Sequence, residues 1–156
     1  NDEIDRMPGS LELVKELKAK GCKLALCTST HRKAFDKKMR RHKELVGLFD
    51  VVITGEDPEI RHGKPRPDVF LLAARRLGKT PVQRCLVFDD SAVGVRAAKA
   101  ANMHTVAVVD PRFRQPASKF LDADLMLISL KDFDATWIEL PGQAGNATTT
   151  TTTTTT

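Results

Sequence analysis

The stretch Cys85-Leu86-Val87-Phe88-Asp89-Asp90-Ser91 constrains this chain more than any other. An unbroken apolar run followed by a helical pattern over 92–100 is what a parallel strand buried on both faces looks like. Two adjacent carboxylates fall where that strand ends, and Ser91 stands where the next helix needs an N-cap. Neighbouring carboxylates repel unless a cation or hydrogen-bond donors hold them. Mg2+ suits such a pair, because it takes one or two carboxylates and completes its shell with waters and phosphate oxygens. A solvated acidic turn capped by Ser91 is the plainer alternative.

The same alternation runs along the whole chain. Leu11, Leu13, Val14 and Leu17 recur at helical spacing, with Ser10 as the expected N-cap and Gly21 as the C-cap. Strands are expected at 23–27, 48–54, 85–89, 104–110 and 125–130. Helices are expected at 31–45, 68–77 and 92–100, the first as one continuous basic helix carrying Phe35 and Met39 on one side. Strand and helix in alternation predict an α/β fold, a parallel sheet with helices on both faces. The expected organisation is a linker over 1–9, a core over 10–141 and a disordered Thr-rich tail over 142–156. That tail ends in nine consecutive threonines and has no apolar pattern. Asn146-Ala147-Thr148 matches a glycosylation acceptor by pattern, with no secretory feature beside it.

A net charge of +5 fits nucleic acid or small anionic substrates equally well. Aromatic content of 5% with no tyrosine leaves few platforms for stacking bases, which weighs against nucleic acid. The basic residues Arg32, Lys33, Lys37, Lys38, Arg40, Arg41 and Lys43 read first as a solvated helix face. Cys22, Cys27 and Cys85 lack Cys-x-x-Cys spacing and read as buried free thiols, which points to a reducing, cytoplasmic setting. No run is long and apolar enough to cross a membrane.

Three polar clusters fall after strands and can meet, since ligands of open parallel sheets bind at the carboxyl ends of the strands. Thr28-Ser29 closes the first strand, and Lys64 stands in the loop after the second. Asp89-Asp90 closes the third. Together they offer a hydroxyl, helix-start N–H groups, an ammonium and a carboxylate pair: a phosphate site with room for a metal. Lys64 lies in Gly63-Lys64-Pro65-Arg66-Pro67-Asp68, where two prolines stiffen the backbone beneath a flexible stem.

The order Thr28, Gly-Lys64-Pro-x-Pro-Asp and Phe88-Asp89-Asp90-Ser91 with Gly94 resembles the haloacid dehalogenase superfamily of phosphohydrolases. The spacing is similar to the subgroup holding β-phosphoglucomutase and small sugar- or nucleotide-phosphate phosphatases. Arg41-His42-Lys43-Glu44, Gly55-Glu56-Asp57-Pro58-Glu59 and His62-Gly63-Lys64-Pro65 look most like its pseudouridine-5′-phosphatases. The resemblance covers roughly 7–138. It implies a Rossmannoid three-layer α/β/α core acting on a small phosphomonoester, such as pseudouridine 5′-phosphate, and expected to be monomeric. It also implies that Thr28 and Ser29 hold the phosphoryl group, that Lys64 neutralises it, and that Asp89 and Asp90 hold Mg2+.

One departure outweighs the matches. The family's nucleophile is the first Asp of an Asp-x-Asp-Gly-Thr segment ending an N-terminal strand, and the 156 residues contain no such segment. The expectation is therefore an N-terminally truncated core, lacking the central nucleophile strand and the cap domain, and inactive alone. Without that strand, 24–27 and 86–88 would either face a gap or pair directly. Asp132-Phe133-Asp134-Ala135-Thr136 is a weak stand-in for a permuted enzyme, and Asp122-Ala123-Asp124 a weaker one. The competing reading is a non-catalytic remnant that binds phosphate or a protein partner.

Overall fold

The computed structural model describes residues 7–113, 115–138 and 150–153. The elements run in order as α1 (Ser10–Ala19), β1 (Leu24–Cys27), α2 (Arg32–Met39), α3 (Lys43–Gly47), β2 (Val51–Ile53) and α4 (Asp68–Arg76). They continue as β3 (Cys85–Asp89), α5 (Ala92–Ala100), β4 (His104–Val108), β5 (Leu125–Leu127) and β6 (Thr150–Thr153), with short 3-10 turns between. The sheet order is β2-β1-β6-β3-β4-β5, and every pairing is parallel.

Period-two alternation splits the strands between two cores. Leu24, Leu26, Phe88, Val106 and Val108 pack on one face with α1, Phe35 of α2 and Leu45 of α3. Ala25, Cys27, Ile53, Cys85 and Val87 pack on the other with α4 and α5. The expected three-layer α/β/α architecture is therefore observed.

The expected helix over 31–45 is two helices, α2 and α3, broken at 40–42. At roughly 100° per residue, an unbroken helix would turn Leu45 well away from the face that carries Phe35 and Met39. The break lets Phe35 and Leu45 enter one core while the charges remain outside. Helix α1 is capped by Gly9 at φ 82°, not by Ser10, whose hydroxyl is buried without a hydrogen-bond partner among the described residues. A Cβ at Gly9 would come 2.7 Å from the Lys131 side chain. This end of the expected linker is thus packed against the core, as Met7 is. Residues 1–6 lie outside the described residues.

The largest correction concerns the threonine tail. Residues 142–149 and 154–156, the glycosylation pattern among them, lie outside the described residues, but Thr150–Thr153 is a strand of the sheet. It stands between β1 and β3, with Ala25 and Val87 both in register with Thr152. Strands β1 and β3 therefore neither pair directly nor face a gap. A central slot flanked by two strands leaves N–H and C=O groups that must be paired, and β-branched threonine favours the extended backbone that pairs them. Composition argued for a tail outside the fold, while the sheet's unmet hydrogen bonds decided otherwise.

Proline at Thr152 removes a ladder N–H at the centre of the sheet. Thr152→Pro is expected to lower stability by about 1–3 kcal/mol for each buried group left unpaired, read as a lower urea midpoint. An unchanged midpoint would return Thr150–Thr153 to the tail.

Candidate active site

The parallel sheet carries its carboxyl strand ends to one edge, and the singled-out residues gather there. Register through β6 sets Leu26 level with Phe88, so Thr28 stands level with Asp90 two residues on. Thr28 is buried at the end of β1, its backbone N–H bonded to the Ile53 carbonyl and its hydroxyl accepting from Thr30 N at 3.1 Å. Ser29 is exposed just beyond. The loops after β1 and β2 press together here. Gly55 N donates to the Thr30 carbonyl, and a Cβ on Gly55 would meet the Ser29 carbonyl oxygen at 2.2 Å.

Lys64 and Asp89 meet directly. Lys64 Nζ lies 2.9 Å from Asp89 Oδ2, with side-chain exposures of only 6% and 1%. The ammonium also sits 5.3 Å from the centre of the Phe70 ring, whose π face favours a desolvated cation. Phe70 is fully buried in α4, which begins four residues after Lys64, so the loop's return into α4 sets the Lys64 stem against that ring.

Ser91 holds the other carboxylate oxygen. Its N–H and its hydroxyl reach Asp89 Oδ1 at 2.8 and 2.7 Å. The same hydroxyl accepts from Gly94 N at 3.1 Å, so the expected N-cap of α5 also orients Asp89. Gly94 is required sterically: a Cβ there would fall 1.9 Å from Asp89 Oδ2. Burial pushes the neighbouring Cys27 thiol up to about 12, which keeps it protonated beside this charged pair. All three cysteines are buried and free, as expected.

Asp90 is buried next to this pair. It has a polar contact of its own, yet its Oδ1 is buried and receives no hydrogen bond among the described residues. Asp89 already accepts three hydrogen bonds, most of a carboxylate's capacity of about four. A hard cation at Asp90 Oδ1, with waters and a phosphate oxygen for the rest of its shell, therefore fits the donor set. No group of three or more His, Cys, Asp or Glu side chains gathers among the described residues.

The structure brings Lys64, Asp89 and Asp90 together and sets Thr28 at the same edge, one strand away across β6. It does not bring the other aspartates there. Asp134 caps the 3-10 turn at 135–137 by accepting from Thr136 N and Oγ1, and Asp132 ends the turn at 130–132. Both follow β5, the edge strand farthest from β1. Asp124 precedes β5 and accepts from Thr105 N at 2.7 Å and from Lys99. Phe70 and Gln115 are not among the residues singled out from sequence, and Gly94, which stands in the motif, shows its steric role only here. Gln115 Nε2 donates to the Asp90 carbonyl at 3.2 Å, a contact between residues 25 apart with no motif to announce it.

Residues 1–102 match the family model for haloacid dehalogenase-like hydrolases. (DL)-glycerol-3-phosphatase 2 of Arabidopsis thaliana is 46% identical over 129 residues, covering 81% of this chain and 53% of the relative. A probable pseudouridine-5′-phosphatase of Drosophila melanogaster is 42% identical over 137 residues, covering 86% and 58%. The chain thus spans about half the length of the curated relatives it matches. The crystal structure of CbbY from Rhodobacter sphaeroides in complex with phosphate superposes with a TM-score of 0.68 at 32% identity, covering 79% of this chain and 53% of that one. A fold with its carboxylate pair and lysine at one sheet edge, and these matches in sequence and structure, establish that the chain belongs to the haloacid dehalogenase-like hydrolases.

Proposed function

We propose that this chain is core machinery of a Mg2+-dependent phosphatase acting on small phosphomonoesters, such as a nucleotide, polyol or sugar phosphate. The observation that carries this reading is the buried Lys64–Asp89 pair with Asp90 beside it at the carboxyl edge. Relatives named as glycerol-3-phosphatase and pseudouridine-5′-phosphatase support the substrate class.

In this reading Thr28 donates its hydroxyl to a phosphoryl oxygen, and the Ser29 backbone lies close by. Lys64 places a positive charge against the phosphoryl group, and its rigid loop and Phe70 hold it there at little entropic cost. Asp90 would hold the metal through Oδ1, and Asp89, already engaged by Lys64 and Ser91, would support it from beside. Bound Mg2+ supplies charge neutralisation at the phosphoryl oxygens. The attacking carboxylate comes from a segment outside these 156 residues. It displaces the alcohol from phosphorus to give an aspartyl-phosphate, which water hydrolyses.

One observation favours a second reading for the 156 residues by themselves. Strand β6 occupies the place between β1 and β3 with threonine, which brings no carboxylate to the edge. The chain alone then binds phosphate without turning it over. Nucleic-acid binding through α2 and α3 gains nothing: Phe35 and Leu45 face the core, and the charges around them are solvated.

Mn2+ binding to 1–156, read by electron paramagnetic resonance, tests the metal site. Asp90→Asn is expected to weaken it at least tenfold, and equal affinity in that variant would remove Asp90 as a ligand. Lys64→Met leaves Asp89 buried without its cation and is expected to cost about 3–5 kcal/mol of stability by urea denaturation. An assay of 1–156 with Mg2+ and p-nitrophenyl phosphate is expected to show no turnover. Turnover abolished by Asp132→Asn would overturn the reading in favour of a permuted enzyme.

A further inference from the structure

We propose that Gln115 is a positioning residue for the Asp89–Asp90 pair, through which the loop after β4 controls metal affinity. The inference rests on the assignment of Asp90 as a metal ligand.

The peptide joining Asp90 to Ser91 is held at both ends. Its N–H donates to Asp89 Oδ1 at 2.8 Å, and its carbonyl oxygen accepts from Gln115 Nε2 at 3.2 Å. A peptide is a rigid plane, so two bonds at opposite sides fix its rotation. With Asp89 held at the end of β3, fixing that plane restricts ψ of Asp90 and so the direction in which its side chain leaves the backbone. The geometry of a carboxylate against a cation with strict octahedral demands then follows from the backbone bond.

Gln115 can perform this task because it is anchored. Pro116 follows it at φ −66°, and a residue before proline is confined to extended backbone. Four residues on, Phe120 is fully buried against Ala92 and Val95 of α5 and Ala107 of β4. The loop is therefore pinned onto the helix that begins at the carboxylate pair, and the Gln115 side chain reaches back from a fixed base. A partly exposed amide contributes little to stability, so its effect falls on the orientation of the carboxylate more than on the fold. Residues that orient metal ligands from behind commonly set affinity over about 10–100-fold.

The test is Mn2+ affinity of 1–156 by electron paramagnetic resonance, with urea denaturation of the same samples. Gln115→Met keeps the length of the side chain and removes the donor. It is expected to weaken Mn2+ binding about tenfold while leaving the urea midpoint in place. Gln115→Lys, which restores a donor of similar reach, is expected to recover affinity despite its added positive charge. Wild-type affinity in Gln115→Met overturns the inference. A midpoint that falls together with affinity in Gln115→Met, with no recovery in Gln115→Lys, also overturns it by showing a structural role alone. A wild-type chain that binds no Mn2+, or Asp90→Asn binding as well as wild type, overturns the metal-site reading and the inference with it. The two failures are thereby told apart.

Discussion

The buried ion pair between Lys64 and Asp89 is the interaction on which the carboxyl edge of this sheet depends. A carboxylate that is almost fully buried is costly unless every oxygen is answered, and here each one is. Lys64 answers Oδ2, and Ser91 answers Oδ1 twice. Gly94 makes room where any side chain would strike the carboxylate, and Phe70 lies against the ammonium. Two stretches of sequence, 64–70 and 89–94, are committed to one charge. The loop after β2, helix α4, the end of β3 and the start of α5 cannot shift independently without exposing or orphaning it.

That commitment gives the proposed phosphate site a rigid frame. Fixed dipoles and charges aimed at a phosphoryl group need no rearrangement when the charge arrives, and this is where electrostatic catalysis gains most. The proposed division of labour follows from how the two carboxylates are already used. Asp89 spends its lone pairs on the protein and acts as the rigid centre, while Asp90 keeps an oxygen for a cation. The loop after β4 then touches the site from outside, through the Gln115 contact to the Asp90 backbone.

The middle of the sheet shows a different constraint. Strands β1 and β3 are lined on both faces by buried apolar residues, so whatever lies between them must complete two hydrogen-bond ladders at once. A threonine strand meets the backbone demand through φ and ψ alone. It brings no carboxylate to the edge, so in the proposed reading pairing and catalysis come apart. The sheet is closed there by backbone pairing alone.

The sequence by itself determined the layered α/β fold, the all-parallel sheet and the gathering of Thr28, Lys64, Asp89 and Asp90 at one edge. Those features are local: apolar runs of strand length, helical spacing and turns at proline and glycine each carry their own signal. Tertiary structure alone decided three others. The break between α2 and α3 arises because Phe35 and Leu45 must reach one core, and the run of basic residues gives no local sign of it. The place of Thr150–Thr153 was decided by backbone groups on β1, over 120 residues away, and on β3, just over 60 residues away, which composition cannot register. The contact of Gln115 with Asp90 joins two loops through a single amide and a carbonyl, and a carbonyl is the same in every residue. Side-chain patterns are written in sequence, whereas backbone hydrogen-bond partners are chosen only when the chain has folded.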